Sequence, residues 1–458
     1  MKEIPYYYQD VDFDQLAKSS PDFAAIIAPA KRKGFIDFKN PKVVQQLSIS
    51  LLQQDFSLQL TLPQNRLCPP IPVRWNYVRW IQDLLDTSSP TYRDTPDPAR
   101  EVTGLDIGVG ASCIYALLAC STREKWRMLG TDVDAHSLAC ATRNVKDNGL
   151  EKRIKLKQMS AEDPLLPLDM LKIEELDFVM TNPPFYDSHA DFLAATKRSV
   201  DDESGPTPVL TGADNEMIYP GGDVAFVLRI LQDSLKLRER VQWYTAMLSK
   251  LSSLQQVLAK LKEEGITNFA VTSLQPGRGT KRWGLAWSFG DMRVRNDVGR
   301  HGELVVSVLP QPTVQTVEGR GQMSREEVGR KVDELVKGFD VRWMWKEGRG
   351  EGVMVAKENV WSRAARRKKK FEEEGRGKVG GKAGESGKAK QVEKDAEMKD
   401  GSESESEDEE PVALAVKIIC LEGKLEMRWL QGQDHVVFTS FCGVLKRALS
   451  TATNDDKV

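Results

Sequence analysis

Apolar positions along this chain switch between two periods, and the switches mark its elements. Asn40-Pro41 supplies a helix start, after which Val43, Val44, Leu47, Leu51 and Leu52 recur at helical spacing. The run LCPPIP (67–72) excludes a helix and predicts an extended connector, because each proline removes a donor and restricts the residue before it. Trp75, Val78, Ile81 and Leu85 then predict a second amphipathic helix, with Arg74 at its entry. From Val102 short apolar runs alternate with helical periodicity, which is how a parallel sheet covered by helices reads. Strands are predicted over 102–108, 126–134, 154–160 and 176–185, the last stopping at two prolines. Helices are predicted over 111–120 and 137–149, the second closed by Gly149. Residues 187–222, rich in Asp, Ser, Pro and Gly, read as a mobile loop. A helix over 224–238, a strand over 242–248, a helix over 254–264 and strands over 267–275 and 282–289 complete the alternation.

The remainder predicts a second body. A strand over 303–309, a helix over 324–337 and strands VRWMW and GVMVA precede a charged tract; a hairpin turning at Glu422-Gly423, then HVVFTSF and a helical tail, follow it. Trp343 and Trp345 read as core. The tract, 362–410, holds little besides Lys, Arg, Glu, Gly, Ser and Ala, too little apolar surface to offset chain entropy, and is expected to be disordered. Each flank alone is small for an independent core, so 300–361 and 411–452 are expected to pair into one small α+β domain split by the insert. Ahead of them stand a polar arm (1–34) ending in Lys31, Arg32 and Lys33, a helical extension (35–100) and the α/β core (101–290).

Composition narrows the classes. The 458 residues leave room for roughly three domains. With 65 basic against 67 acidic residues the chain is no polycation, so nucleic-acid affinity must come from local basic patches. Six cysteines, no two of them two residues apart, and four histidines suggest neither a zinc site nor a disulfide framework. No apolar run approaches the ~20 residues that cross a bilayer, and residues 1–10 lack the order of a secretory signal. The expectation is a soluble protein of a reducing compartment.

Candidate chemistry gathers at strand ends, where ligands collect in such sheets. The first strand ends in Asp106-Ile107-Gly108-Val109-Gly110-Ala111-Ser112-Cys113, with G-x-G but Cys113 where a dinucleotide fingerprint wants its third glycine. Asp132, 24 residues after Gly108, ends the second strand, where a carboxylate can accept two hydrogen bonds from ribose hydroxyls. These residues suit NAD and S-adenosylmethionine equally. Asn182-Pro183-Pro184-Phe185, ending the fourth strand, chooses the second. An adenine amine is a poor nucleophile because its lone pair is delocalised. The Asn182 side-chain oxygen and the Pro183 carbonyl can each accept one of its N–H bonds, the prolines fix the turn, and Phe185 can stack on the base. This is catalysis by orientation, with no general base required.

Residues ~35–289 resemble the methyltransferase-like protein 16 family and its bacterial large-subunit ribosomal RNA adenine-N6 relatives. The stretches that carry the resemblance are FKNPKVVQQLSISLLQQDF, IPVRWNYVRWIQDLL, DIGVGASCIYALL, TDVD, TNPPF, PGGDVAFVLRI and GRGTKRWGLAWSF, in order along the chain. The resemblance implies a Rossmann-like seven-stranded methyltransferase fold and methyl transfer from S-adenosylmethionine to adenine N6 in structured RNA, U6 small nuclear RNA in eukaryotic members. By position it puts Arg74, Asp106, Gly108, Gly110, Ser112, Asp132 and Asp163 at the cofactor and Asn182 to Phe185 at the target adenine, with Asn182 touching both. Asp132 stands where some relatives have glutamate, and Ser160-Ala161-Glu162-Asp163 where animal members carry a lysine and a threonine. Lys31 to Lys33, Lys197, Arg198, Arg278, Lys281 and Arg282 are candidate phosphate contacts, with Trp283 and Phe185 as stacking partners. The resemblance also makes the split C-terminal domain an RNA-binding region; an interaction or packing domain is the alternative. The basic run 366–370 reads as a nuclear localisation signal or RNA-binding tail, which places the protein in the nucleus or in both nucleus and cytoplasm. Ser402, Ser404 and Ser406 amid acids are candidate phosphorylation sites. Competing readings are a protein glutamine N5-methyltransferase, a non-catalytic RNA-binding regulator and an NAD-dependent oxidoreductase.

Overall fold

The computed structural model describes residues 4–31, 36, 40–63, 66–194, 214–302, 304–318, 323–362, 365, 367 and 411–450. Arg32, Lys33, Lys197, Arg198, most of the 362–410 insert and its three candidate serines lie outside them. The chain divides into two compact units, residues 1–312 and 313–458.

In the first unit, β1 (Val102–Ile107), β2 (Trp126–Asp132), β3 (Ile154–Gln158), β4 (Leu176–Thr181), β5 (Val241–Leu248), β6 (Asn268–Leu274) and β7 (Arg282–Ser288) form one sheet in the order β3-β2-β1-β4-β5-β7-β6. The first five are mutually parallel, and β7 is antiparallel to both β5 and β6. This is the Rossmann-like seven-stranded arrangement. Side chains alternate across it as strand geometry requires: on β4, Phe178 and Met180 enter one core cluster and Val179 the other. The first cluster lies under α1 (Phe13–Ser19), α2 (Pro21–Lys31), α4 (Ile71–Thr87) and α5 (Ile114–Thr122), beside α3 (Pro41–Leu51) and α6 (Ala135–Asp147). The second lies under α7 (Gly222–Leu237) and α8 (Leu251–Glu263).

Four expectations change. The polar arm is helical over most of its length, with Leu16, Phe23 and Ile27 buried in the first cluster; the Ser19-Ser20-Pro21 break splits it into two short helices, too short for a clear apolar period. Ahead of α1 the chain is fastened to α4: Trp75 Nε1 donates to the Pro5 carbonyl at 2.8 Å, and Asn76 exchanges two hydrogen bonds with the Tyr7 backbone. The connector is extended only to Pro70. Helix α4 begins at Ile71 and holds Pro72 in its first turn, where a missing N–H breaks no bond. The described residues of the strand expected over 303–309, 304–309, form none; Val306–Val308 is a 3-10 turn, with Leu304 and Val308 packed in the second cluster. The end of the expected mobile loop is pinned, since Tyr186 N donates to the Met217 carbonyl at 3.0 Å and Tyr219 N to the Tyr186 carbonyl at 2.9 Å.

The second unit is an antiparallel sheet in the order β8-β12-β11-β10-β9, built from β8 (Val314–Glu318), β9 (Arg342–Lys346), β10 (Glu351–Ala356), β11 (Leu414–Leu421) and β12 (Lys424–Gln431). Helices α9 (Arg325–Lys337) and α10 (His435–Ser450) contribute to its core. Strand β10 pairs with β11 from Glu351↔Ile419 to Ala356↔Leu414, so strands on either side of residues 357–413 share one sheet. HVVFTSF opens α10 itself rather than preceding it. Trp343 and Trp345 stack at 5.4 Å against the core.

Candidate active site

The carboxyl ends of β1, β2 and β4 converge on one cavity of about 270 Å³. Beyond β1 the chain turns through Gly108 (φ 73°), Gly110 (φ 62°) and Cys113 (φ 54°), which delays the start of α5 to Ile114. The Gly108 and Val109 N–H groups both donate to the Thr131 carbonyl at 2.9 Å, fastening this turn to β2. Asp132 accepts the Gly110 N–H on one carboxylate oxygen and the Asp134 N–H on the other, each at 2.9 Å. Burial nevertheless pushes its carboxyl above the usual range. Each oxygen keeps a further lone pair for a ligand. A Cβ on Gly108 would meet no protein atom within 4 Å, so the space in front of the turn is open.

Opposite, Thr181 Oγ1 donates to the Ile107 carbonyl at 2.9 Å, tying the ends of β4 and β1 together. Asn182 Oδ1 accepts a hydrogen bond from the buried Arg74 guanidinium at 3.1 Å. Arg74 also donates to Met247 Sδ at 3.4 Å and lies 5.5 Å from the Tyr115 ring centroid. The Arg282 guanidinium sits 4.9 Å from the centroid of Phe185. Burial first, then the charge of Arg74, pulls the Arg282 pKa down.

Of the residues expected at the site, Arg74, Gly108, Gly110, Ser112, Asp132, Asp163, Asn182 and Pro184 line the cavity. Pro183 and Phe185 continue the turn beside it. Asp106 lies behind the wall: it is 0% exposed, and its oxygens find no hydrogen-bond partner among the described residues. Burial, followed by the nearby Asp132 charge, pushes its carboxyl to about 8, with Arg74 opposing. Asp163 accepts the Ser160 N–H at 2.7 Å, and Arg229 grips the same loop through the Ala161 and Asp163 carbonyls.

The candidate RNA contacts divide. Lys31 ends α2. Arg278 is 95% exposed but paired with Asp10, which accepts from its Nε and its backbone N–H at 2.9 Å each. Lys281 lies over the Trp283 ring at 4.9 Å. Trp283 itself is buried in the second cluster, which corrects its assignment as a stacking partner: strand alternation on β7 turns it inward. Arg282 belongs to the wall of the Phe185 turn rather than to a free basic surface. Sequence reasoning missed Glu216, Tyr219 and Arg229, which also line the cavity. Glu216 meets the Leu67 N–H at 3.2 Å across 149 residues, a separation for which no local pattern exists.

A family model described as RNA methyltransferase matches residues 5–291. The chain is 34% identical to the U6 small nuclear RNA (adenine-(43)-N(6))-methyltransferase of Schizosaccharomyces pombe, over 93% of this chain and 97% of that one. It is 37% identical to human RNA N(6)-adenosine-methyltransferase METTL16 over 61% of this chain, spanning only about half (49%) of the human protein. The crystal structure of the human METTL16 catalytic domain in complex with MAT2A 3′UTR hairpin 1 matches with a TM-score of 0.51 and 35% identity, covering 61% of this chain and 91% of that one. Matches of this extent, over a sheet order and a strand-end turn that fit them, place the chain: it belongs to the RNA methyltransferase family, among the adenine-N6 enzymes.

Proposed function

We propose that this chain transfers a methyl group from S-adenosylmethionine to N6 of one adenosine in a structured RNA, and that U6 small nuclear RNA is that RNA. The single observation that carries the reading is the Asn182-Pro183-Pro184-Phe185 turn standing on the cavity wall with its asparagine oxygen held by Arg74. The cofactor fits the residues present. Asp132 has lone pairs left for two ribose hydroxyls, and the glycine turn leaves its approach open. Bound there, S-adenosylmethionine supplies an electrophilic methyl on a sulfonium.

The chain's own residues supply orientation. Arg74 fixes which end of the Asn182 amide faces the site, so Oδ1 presents its second lone pair to one N6–H bond. The Pro183 carbonyl takes the other. Two acceptors on a rigid turn draw the amine out of the ring plane and aim its lone pair at the methyl group, a positioning effect that needs no general base. Arg282 covers one face of Phe185, and the base stacks on the other. An adenosine inside a helix cannot reach this turn, so the acceptor is unpaired or flipped. Nuclear residence is part of the proposal; its support is the basic run 366–370, and deleting that run from a fluorescent fusion is expected to shift it to the cytoplasm.

The purified chain is incubated with methyl-labelled S-adenosylmethionine and total RNA, and the RNA is digested to nucleosides. Label is expected in N6-methyladenosine and is expected to vanish with Asn182→Ala while RNA affinity, measured by fluorescence anisotropy, persists. Full activity of Asn182→Ala, or label in protein instead of RNA, refutes the assignment.

A further inference from the structure

Three carboxylates and two guanidiniums line the cofactor cavity: Asp132, Asp163, Glu216, Arg74 and Arg229. Asp132 stands at the end of β2, placed for ribose. Asp163 closes its own turn on the Ser160 N–H, Arg229 holds two carbonyls of that turn, and Arg74 holds Asn182. Glu216 reaches the cavity from the short helical turn Asp214–Met217, between the target-base turn and α7. Its Oε2 accepts the Leu67 N–H at 3.2 Å, and its Oε1 lies 3.8 Å from where a Cβ on Gly110 would sit. Asp132 accepts the N–H of that same Gly110, so two carboxylates flank one residue of the glycine turn. The two hydrogen bonds between Tyr186 and Met217–Tyr219 set Glu216 in fixed relation to the turn that holds the target adenine.

We infer that Glu216 binds the α-ammonium group of the cofactor's methionine moiety, an inference that rests on the S-adenosylmethionine reading above. The cofactor brings three kinds of strongly hydrogen-bonding group into this cavity besides its base. Ribose hydroxyls match Asp132, and the α-carboxylate matches a guanidinium. The ammonium carries a full positive charge and three donors, and leaving it without an anion in a cavity costs far more than leaving a neutral group unpaired. Asp163 sits on the loop that the Arg229 guanidinium grips, so a cation is already beside it, and Asp106 lies behind the wall. Glu216, which accepts the Leu67 N–H on Oε2, lines the cavity beside Gly110 and brings a negative charge to the glycine turn there. Binding there also ties the cofactor to the segment that carries the acceptor turn, so the two substrates are registered against one rigid piece of backbone.

The test is calorimetric titration of the full chain and of Glu216→Gln with three ligands: S-adenosylhomocysteine, its analogue lacking only the amino group, and 5′-methylthioadenosine, which lacks the whole amino-acid part. Removing the amine from the ligand is expected to weaken binding to the wild-type protein by about 10- to 100-fold, the worth of a hydrogen bond to a charged group. Glu216→Gln is expected to lose the same factor for S-adenosylhomocysteine, to gain nothing from the amine, and to bind 5′-methylthioadenosine as the wild type does. Unchanged S-adenosylhomocysteine affinity in Glu216→Gln overturns the inference, and so does an equal loss for all three ligands, which would mark Glu216 as a structural clasp. If the variant does not fold, the two wild-type titrations decide alone: equal affinity with and without the amine overturns the inference. A wild-type protein that binds none of the three overturns the cofactor reading itself.

Discussion

Gly108→Ala separates the cofactor's approach from the stability of the fold. Gly108 has φ 73°, and an alanine in that left-handed region costs roughly 1–2 kcal/mol. No other penalty is expected, because its Cβ would meet no protein atom within 4 Å. The melting temperature should therefore fall by only a few degrees. In the proposed placement of the cofactor, the methyl group stands in the space it must enter. Overfilling a tight contact costs about 1–3 kcal/mol, so S-adenosylhomocysteine affinity is expected to fall roughly 5- to 150-fold. Gly104, four residues earlier on β1, provides the opposite case. A Cβ there would lie 2.3 Å from Phe178 Cζ and 2.8 Å from Met128 Sδ, inside the first core cluster, so Gly104→Ala is expected to lower the melting temperature further while its folded fraction binds the ligand as the wild type does. Differential scanning calorimetry and isothermal titration of both variants read the two effects separately. Wild-type affinity in Gly108→Ala would refute the placement of the cofactor against this turn; a greater loss of stability in Gly108→Ala than in Gly104→Ala would refute the packing argument.

Two further outcomes follow from buried charge. Asp106 has its carboxyl raised from 3.8 to about 8, so between those values the unfolded chain releases a proton that the folded chain retains, and stability falls as pH rises through this window. Asp106→Asn should flatten that fall in the ligand-free protein, and melting curves from pH 5 to 9 with the wild-type slope would show that Asp106 is not the titrating group. Arg123 and Asp86 form a buried pair at 2.6 Å, with side chains 7% and 9% exposed. Arg123→Ala should cost about 3–5 kcal/mol in urea unfolding because it strands the carboxylate, and adding Asp86→Asn should recover part of it; no recovery would place the loss in packing instead.

Much of the site was legible because it is local. The glycine turn and the Asn182–Phe185 turn are each a few consecutive residues whose backbone chemistry ends a strand, and apolar alternation fixed which strands they end. The N-terminal helices were hidden by the Ser19-Ser20-Pro21 break that splits them into two short pieces, and β8 by its exposure as an edge strand with one inward apolar position, Val317. Trp283 was misread because a basic-aromatic stretch looks alike whether its aromatic faces solvent or core.

The sequence by itself therefore determined the element types of the α/β core, the strand-end chemistry and, through its motifs, the reaction. Only the tertiary structure decided that β7 inserts between β5 and β6, that Arg74 reaches Asn182 across 108 residues, that Asp106 faces inward, and that Glu216 joins the cavity from beyond the target turn. The reason is physical. Periodicity records which face of an element is buried, a property of neighbouring residues, whereas the convergence of side chains depends on how separate elements pack, and no short window of sequence contains both partners.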